Sequence, residues 1–371
     1  MTIIYYLLFF TCFIQIAFYA LIFTKFLRTK QTAAKISIDT LKAASIVICA
    51  KNEYNNLKQH LPLILQQNYP NFEVIVIDDG SSDKSPQLLA QFENTYTNFL
   101  SFRIDPSEKQ HPGKKQALQY GISVAKHEII VVTDADCYPK SKNWLQFITH
   151  PLHKNADVVL GVSPLKKAKN FGNLFFRMEA FFVALQYINF TLSGLPFMGV
   201  GRNMAYKKKV FDDHDITSHW DLTSGDDDLF INDISSEYNI EVVTHPESYT
   251  YSAAPKNFKA WFRQKLRHYS AGYRYNLMQQ IWLAYYWLSS ILLYALVAIV
   301  PILYLFKYSF SIFSLTLLFS TAMFRWIITL LSVNKLEQQH RNFAAPIFDL
   351  LYILSVWIVS PISTIVKRKW K

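Results

Sequence analysis

Cysteine is scarce in this chain, and the little there is excludes two architectures. Among 371 residues there are three, Cys12, Cys49 and Cys137, an odd number and far apart. They make neither a disulfide framework nor a zinc-binding spacing, and the first two read as small buried residues. Internal repeats and low-complexity tracts are missing as well. Charge is missing from long stretches: residues 3–24 and 281–306 carry none, 308–331 carry only Arg325, and 346–366 carry only Asp349. Each stretch is long enough to cross a hydrocarbon core of about 30 Å as a helix. The first lacks the basic start and the small-residue cleavage site of a signal peptide.

The chain is 51% hydrophobic, which is apolar for a soluble protein, yet its 18% charged residues are too many for a wholly embedded one. Its net charge of +11 lies largely beside the apolar stretches and in residues 256–274. That distribution fits anionic lipid headgroups and a phosphorylated substrate. With four membrane-length stretches, nucleic acid is not the expected partner of this basic chain. Lys25, Arg28, Lys30 and Lys35 follow the first stretch, so the positive-inside tendency places the charged middle segment in the cytosol of a multi-pass cell (inner) membrane protein. Residues 346–366, framed by Pro346 and Pro361, leave two readings open. A fourth full span would put Lys367, Arg368, Lys369 and Lys371 outside, against that tendency; a re-entrant or interfacial segment would not.

In the middle segment, apolar runs at Ala44–Ala50, Glu73–Ile77, Phe99–Ile104, Ile129–Thr133 and Ala156–Val162 predict strands. Patterns at Asn55–Gln67, Ser85–Asn94, Gly113–Lys126 and Asn143–His150 predict helices, with Pro62 as a local break or kink. This alternation predicts a mainly parallel sheet covered by helices. Further on, Asn170–Thr191 reads as an amphipathic helix. Lys256–Tyr275 reads as a basic-aromatic helix running into the next span. Each is a packing helix or an interfacial one.

Several strand ends are acidic. Asp134-Ala135-Asp136 closes the run Ile129–Thr133, where open α/β sheets place their ligands. Two hard oxygen donors at i, i+2 suit Mg²⁺ or Mn²⁺ held jointly with a diphosphate; a strand ending in a polar turn looks the same. Asp78-Asp79-Gly80-Ser81-Ser82-Asp83 ends another strand. There a carboxylate either meets a base or ribose or caps its own turn. Lys51-Asn52-Glu53 adds polar groups to the same predicted rim. His111-Pro112-Gly113-Lys114-Lys115 opens a helix whose N-terminus and lysines suit a phosphate, or is a solvated lysine pair. Ser224-Gly225-Asp226-Asp227-Asp228 concentrates more carboxylates than helix capping needs, which suits a general base. Gln264, Arg267 and His268 share one helix face, and Arg suits a diphosphate bidentately; lipid phosphates would use it equally well.

Together these residues resemble the family 2 glycosyltransferases of the GT-A fold. The ordered matches are Ala50-Lys51-Asn52-Glu53, Val76–Asp83, Gly113-Lys114, Asp134-Ala135-Asp136, Gly199–Tyr206, Gly225-Asp226-Asp227 and Gln264–Arg267. They cover about residues 44–270. The resemblance implies an α/β, Rossmann-like mixed-sheet domain at 40–255. Around it lie an N-terminal transmembrane helix at 1–28, an interfacial basic-aromatic helix at 256–280, and a C-terminal membrane region at 281–371 with two spans plus a third span or re-entrant segment. It implies contacts to the nucleotide-sugar from Glu53, Asp79, Lys114, Asp134, Gln264 and Arg267. It makes Asp136 and Asp134 the metal pair for Mg²⁺ or Mn²⁺. Asp227 becomes the general base for the acceptor hydroxyl, with Asp226 as its alternative because the triple Asp blurs the register. Gln264 and Arg267 resemble the start of the Gln-x-x-Arg-Trp motif of membrane-integrated members such as hyaluronan, cellulose and ceramide glycosyltransferases. His268 stands where that motif has Trp, which puts a polymer acceptor in doubt.

The activity so implied is inverting transfer of a sugar from a nucleotide-sugar donor, a UDP-sugar, to a lipid-like or membrane-associated acceptor hydroxyl. A processive polysaccharide synthase of the same fold, acting on a glycan acceptor, and a non-catalytic membrane scaffold are the alternatives.

Overall fold

The computed structural model describes residues 2–29, 36–37, 40–110, 113–214, 219–220, 222, 225, 227–306, 310–337 and 344–365. They separate into two compact units. One, the sheet unit, comprises Lys30–Arg177 and Pro196–Arg274. The other, the apolar unit, comprises Met1–Thr29, Met178–Leu195 and Tyr275–Val366. The helices are, in chain order, α1 (Thr2–Ala17), α2 (Lys25–Arg28), α3 (Tyr54–Leu65), α4 (Ser85–Thr95), α5 (Lys115–Val124), α6 (Trp144–Thr149), α7 (Phe171–Leu192), α8 (Lys209–Asp213), α9 (Asp228–Ile234), α10 (Phe258–Tyr269), α11 (Leu277–Leu305), α12 (Ile312–Glu337) and α13 (Ala345–Ile365). The strands are β1 (Ala44–Ala50), β2 (Phe72–Asp78), β3 (Phe99–Arg103), β4 (Ile129–Asp134), β5 (Cys137–Pro139), β6 (Val158–Leu160), β7 (Met204–Lys207), β8 (Ile240–Val242) and β9 (Thr250–Ser252).

The five predicted strands are β1, β2, β3, β4 and β6. Runs such as Ile46-Val47-Ile48 and Val74-Ile75-Val76-Ile77 are fully buried, as strands covered on both faces must be. The sheet order is β3-β2-β1-β4-β7-β6-β8. Strands β3, β2, β1 and β4 are parallel, whereas β7 runs antiparallel to both of its neighbours. The sheet is therefore mixed, and the antiparallel β7 comes from the Gly199–Tyr206 segment, which carries no strand pattern long enough to predict. Register pairs Ala50 with Asp78 and Cys49 with Asp134. The C-terminal ends of β2, β1 and β4 are thus level along one edge.

Pro62 lies within α3, three residues from its end, and the helix continues to Leu65. Its missing N–H costs the bond to the Lys58 carbonyl, and buried Leu57, Leu61, Ile64 and Leu65 hold the turn against the sheet. The basic-aromatic helix differs from expectation. Instead of running into the next span, α10 stops at Tyr269 and α11 starts afresh at Leu277. Each has its own cap: Asn257 accepts the Ala260 N–H at 2.9 Å and Asn276 accepts the Gln279 N–H at 3.1 Å.

Five histidines of the sheet unit, His60, His150, His153, His245 and His268, are held below the ordinary imidazole range, chiefly by burial; His153 falls to about 4. In the folded unit they take up protons less readily than in the unfolded chain, where imidazole titrates at about pH 6.5. Acidification therefore favours the unfolded state. The thermal midpoint of the sheet unit, followed by near-ultraviolet circular dichroism, is expected to fall between pH 7 and pH 5. An unchanged midpoint would show that these rings stay solvated.

In the apolar unit, Thr2–Arg28 forms one helix of 27 residues, its α1 and α2 parts joined by a π-helical turn at Phe18–Phe23. With α11, α12 and α13 it gives, among the described residues, four helices long and apolar enough to cross a membrane. Large side chains lie bare on them, including Ile3 at 81%, Leu305 at 80% and Ile312 at 83% exposure, a surface that lipid would cover. The lone charges of the third and fourth apolar stretches meet. Arg325 donates to both Asp349 oxygens at 2.6 and 2.8 Å, to Gln15 Oε1 at 2.6 Å and to Ser290 Oγ at 2.8 Å. Lys335 Nζ donates to the carbonyls of Phe26, Leu27 and Thr29, so α12 ends where α2 ends. Residues 345–365 are not broken into a hairpin: α13 is a continuous 21-residue helix, about 31 Å long.

Candidate active site

The level strand ends gather most of the predicted residues on one edge of the sheet. At the end of β1, Asn52 takes a left-handed φ of 57°. Its side-chain oxygen accepts the N–H groups of Ser82 and Asp83 at 2.8 and 3.3 Å, while its own N–H donates to Ser81 Oγ at 2.8 Å. The loops after β1 and β2 are thereby fixed to each other. Gly80 completes the turn at φ +70°, and a Cβ there would lie 2.8 Å from Pro106 Cγ, so both backbone and space require glycine.

Asp79 is 5% exposed. One of its oxygens meets Lys109 and, at 3.9 Å, Lys51; the other is buried and has no partner among the described residues. A buried carboxylate oxygen left open costs energy unless a ligand donor fills it. Glu53 stands at the start of α3, where its carboxylate accepts from Asn56 Nδ2 at 2.6 Å.

Two strands along, about 10 Å away by strand spacing, β4 delivers Asp134. Ligand atoms of Asp134, Asp136 and Cys137 all lie within 4.8 Å of one another. The two carboxyls are driven apart in acidity. Burial raises Asp134, but Lys114 and then Arg202 and Arg267 outweigh it and hold it below the usual carboxylate range. Burial and then the charge of Asp134 raise Asp136. The Cys137 thiol is pushed well up, first by burial and then by Asp136, so it is protonated and a poor ligand. The donors on offer are therefore two hard oxygens, which fit a divalent cation that would relieve their repulsion.

Lys114 Nζ sits 2.9 Å from Asp134 Oδ1. It stands just before α5, after Gly113 at φ 97°; His111 and Pro112 lie outside the described residues. Gly201 lies between Lys114 and the last acid. A Cβ on Gly201 would be 3.2 Å from Lys114 Nζ and 3.3 Å from Asp227 Oδ2. Asp227 accepts the Gly201 N–H at 2.8 Å and the Asp228 N–H at 3.0 Å, at the start of α9. Its alternative, Asp226, lies outside the described residues.

Helix α10 brings Arg267 into the field of Asp134, while Gln264 on the same helix is exposed to solvent. His268 is driven well below its ordinary range by burial and then by Lys265, Arg267, Arg202 and Lys114. It is a neutral ring among cations.

Arg202 lies in the Gly199–Tyr206 motif, where the sequence alone assigns it no role. Its carbonyl accepts from Thr133 and Thr250 hydroxyls at 2.8 and 3.0 Å, and its guanidinium donates to Ser252 Oγ at 2.7 Å. It is thus a fixed cation acting on both Asp134 and Asp136. Nothing local in the sequence marks it, because its partners come from β4 and β9.

The profile described as glycosyl transferase family 2 matches residues 45–215, from β1 to just beyond α8. The chain carries a family 2 glycosyltransferase domain. This glycosyltransferase domain has relatives of the same kind. The probable glycosyltransferase YdaM of Bacillus subtilis is 25% identical over 252 residues, covering 64% of this chain and 57% of the relative. A beta-monoglucosyldiacylglycerol synthase of Trichormus variabilis is 34% identical over 131 residues, covering 35% of this chain and 27% of the relative. The matches thus span little more than half of these relatives at most. A mannosyltransferase of Pyrobaculum calidifontis, solved with GDP-Man and Mn2+, matches 94% of this chain and 99% of its own at 18% identity and a TM-score of 0.52. That likeness establishes the shared GT-A fold, the α/β mixed sheet expected from sequence.

Proposed function

We propose that the protein is a membrane-bound inverting glycosyltransferase that moves a sugar from a nucleotide-sugar, a UDP-sugar, to a hydroxyl of a lipid-like or membrane-associated acceptor. The observation that carries this is the line Asp136, Asp134, Lys114, Gly201, Asp227 at one sheet edge: a place for a donor's diphosphate and, across a glycine gap, a carboxylate for the acceptor proton.

On this reading Asp79, through its open oxygen, accepts an N–H of the base or a ribose hydroxyl, and Glu53 supports that end of the donor. Lys114, Arg202 and Arg267 attract and orient the diphosphate. Gln264, exposed on α10, would reach the donor only from the solvent side. Asp134 and Asp136 would hold Mg²⁺ or Mn²⁺, which offsets charge on the departing nucleoside diphosphate. Asp227, oriented by two N–H donors, takes the proton of the incoming hydroxyl as it attacks the anomeric carbon. A single displacement inverts that carbon.

The glycolipid named in the synthase relative, the bare apolar helices and His268 in place of Trp all support a lipid-like acceptor. Lys335 closing onto the end of α2 supports α12 and α2 ending on the same side, and the basic residues after Thr24 support that side being the cytosol. The unbroken α13 supports a fourth span. Lys367, Arg368, Lys369 and Lys371, which would then emerge on the far side, lie outside the described residues.

The test is purified protein in lipid nanodiscs, supplied with UDP- and GDP-sugars and Mn²⁺, with products followed by mass spectrometry. An organic-extractable glycoside made from a UDP-sugar is expected. A high-mass polymer would replace the lipid acceptor with a glycan, and no transfer from any donor would overturn the enzymatic reading.

A further inference from the structure

We propose that a basic and aromatic face of the sheet unit, made by the Lys166–Phe171 segment and the first turns of α10, docks on anionic lipid headgroups. Six cations stand exposed there: Lys166, Lys167, Lys169, Lys256, Lys259 and Arg263. None of them enters an ion pair among the described residues. There is no acid at all in residues 163–178 or 253–275 to neutralise them. Phe171 and Phe258 stand among them at 64% and 47% exposure.

The two segments form one surface. The Phe258 ring lies 5.5 and 5.0 Å from those of Phe175 and Phe176, and Trp261 lies 5.1 Å from Phe175. Asn173 Nδ2 donates to the Lys166 carbonyl at 3.0 Å, and Asn173 Oδ1 accepts the Ala168 N–H at 2.8 Å, tying the lysine segment to the first turn of α7. Lysines ringing exposed phenylalanines are what an anionic membrane surface takes: headgroup charge for the ammonium groups and the acyl boundary for the rings.

The course of the chain names the same occupant. It passes from the sheet unit to the apolar unit after Arg177 on α7 and again after Arg274, just beyond α10. The α10 segment therefore leads, beyond Arg274, into α11, a helix long and apolar enough to cross a bilayer, and the Lys166–Phe171 segment leads into α7, whose second half belongs to the apolar unit. An acidic protein or a nucleic acid would use the charge but not this continuity.

The docking has a consequence that rests on the proposed function. Helix α10 carries Lys259 and Arg263 at the face and Arg267 and His268 toward Asp134, so headgroups that steady its first turns also steady its catalytic end. Turnover then depends on the anionic lipid fraction.

The experiment compares full-length wild type with the variant Lys166→Gln/Lys167→Gln/Lys169→Gln, which changes no residue of the donor site. Each is placed in nanodiscs of phosphatidylcholine alone or with phosphatidylglycerol. Hydrogen exchange at 166–171 and 256–263 is expected to slow several-fold with phosphatidylglycerol in the wild type and not in the variant, with exchange in β1–β4 equal in both. Turnover should rise with phosphatidylglycerol in the wild type only, the two proteins matching in phosphatidylcholine. Equal exchange in both lipids, or the same slowing in the variant, overturns the docking. So does protection by added RNA or an acidic polypeptide in place of phosphatidylglycerol. If exchange responds as expected but no donor is turned over in any lipid, the docking stands and the enzymatic reading falls.

Discussion

Asp227→Asn is expected to lower kcat by about 10²–10⁴-fold, the usual contribution of a general base, while donor affinity stays close to wild type. The substitution separates two roles. Asp227 stands immediately before α9 and accepts the Asp228 N–H, so it is also a helix cap. Asparagine caps helices as well as aspartate does, though its single carbonyl oxygen keeps the Asp228 cap and gives up the Gly201 N–H, which Asp227 holds with its other oxygen. If Asp227 is only a cap, the variant folds and turns over normally. If it takes the acceptor proton, the fold survives and the chemical step collapses. Steady-state kinetics beside a direct measurement of nucleoside diphosphate affinity reads both quantities. Normal kcat would move the base to Asp226, to be tested by the same exchange to asparagine.

Arg325→Met is expected to destabilise the apolar unit by about 3–5 kcal/mol, the cost of leaving a buried partner charge alone. Asp349 would keep only the Tyr294 hydroxyl, which donates at 2.6 Å. The double variant Arg325→Met/Asp349→Leu is expected to recover most of that loss, because a buried pair replaced as a whole costs little. Arg325 and Asp349 are fully buried. Arg325 lies twelve residues from the end of α12, Gln15 thirteen from the end of α2, and Ser290 thirteen from the start of α11. By helix rise Arg325, Gln15 and Ser290 lie about 18–20 Å from those helix ends, and Asp349, four residues into α13, is fully buried against them, so water cannot rescue an unpaired charge there. Thermal aggregation in detergent, followed by size-exclusion chromatography, measures the three proteins. A double variant as unstable as the single would mean that the pair does more than neutralise itself.

The sequence was most legible where period and chemistry coincide. Runs of β-branched residues ending in acids marked β1, β2 and β4, and parallel pairing then put Lys51–Glu53, Asp79 and Asp134 on one edge without further information. The single charges of 308–331 and 346–366 were visible as Arg325 and Asp349, but their pairing was not, since it depends on which helices become neighbours. Strand β7 and the β5–β9 pair were hidden for a similar reason: strands of three or four residues have no period to read, and their partners lie far off in the chain. Arg202 was hidden with them, because Thr133, Thr250 and Ser252 fix it only after β4 and β9 are in place. The break between α10 and α11 was signalled by Asn276, a capping residue inside an otherwise continuous helical pattern.

The central claim is that the carboxylate pair after β4 holds a sugar donor for transfer. The most direct measurement is release of nucleoside diphosphate by Asp136→Ala beside the wild type, in the same nanodiscs, with saturating nucleotide-sugar and Mn²⁺. The wild type is expected to turn over. The variant should show no turnover above background while eluting as the same folded species. Equal release by the two proteins would contradict the account, since the donor would then be held and activated somewhere other than at Asp134 and Asp136.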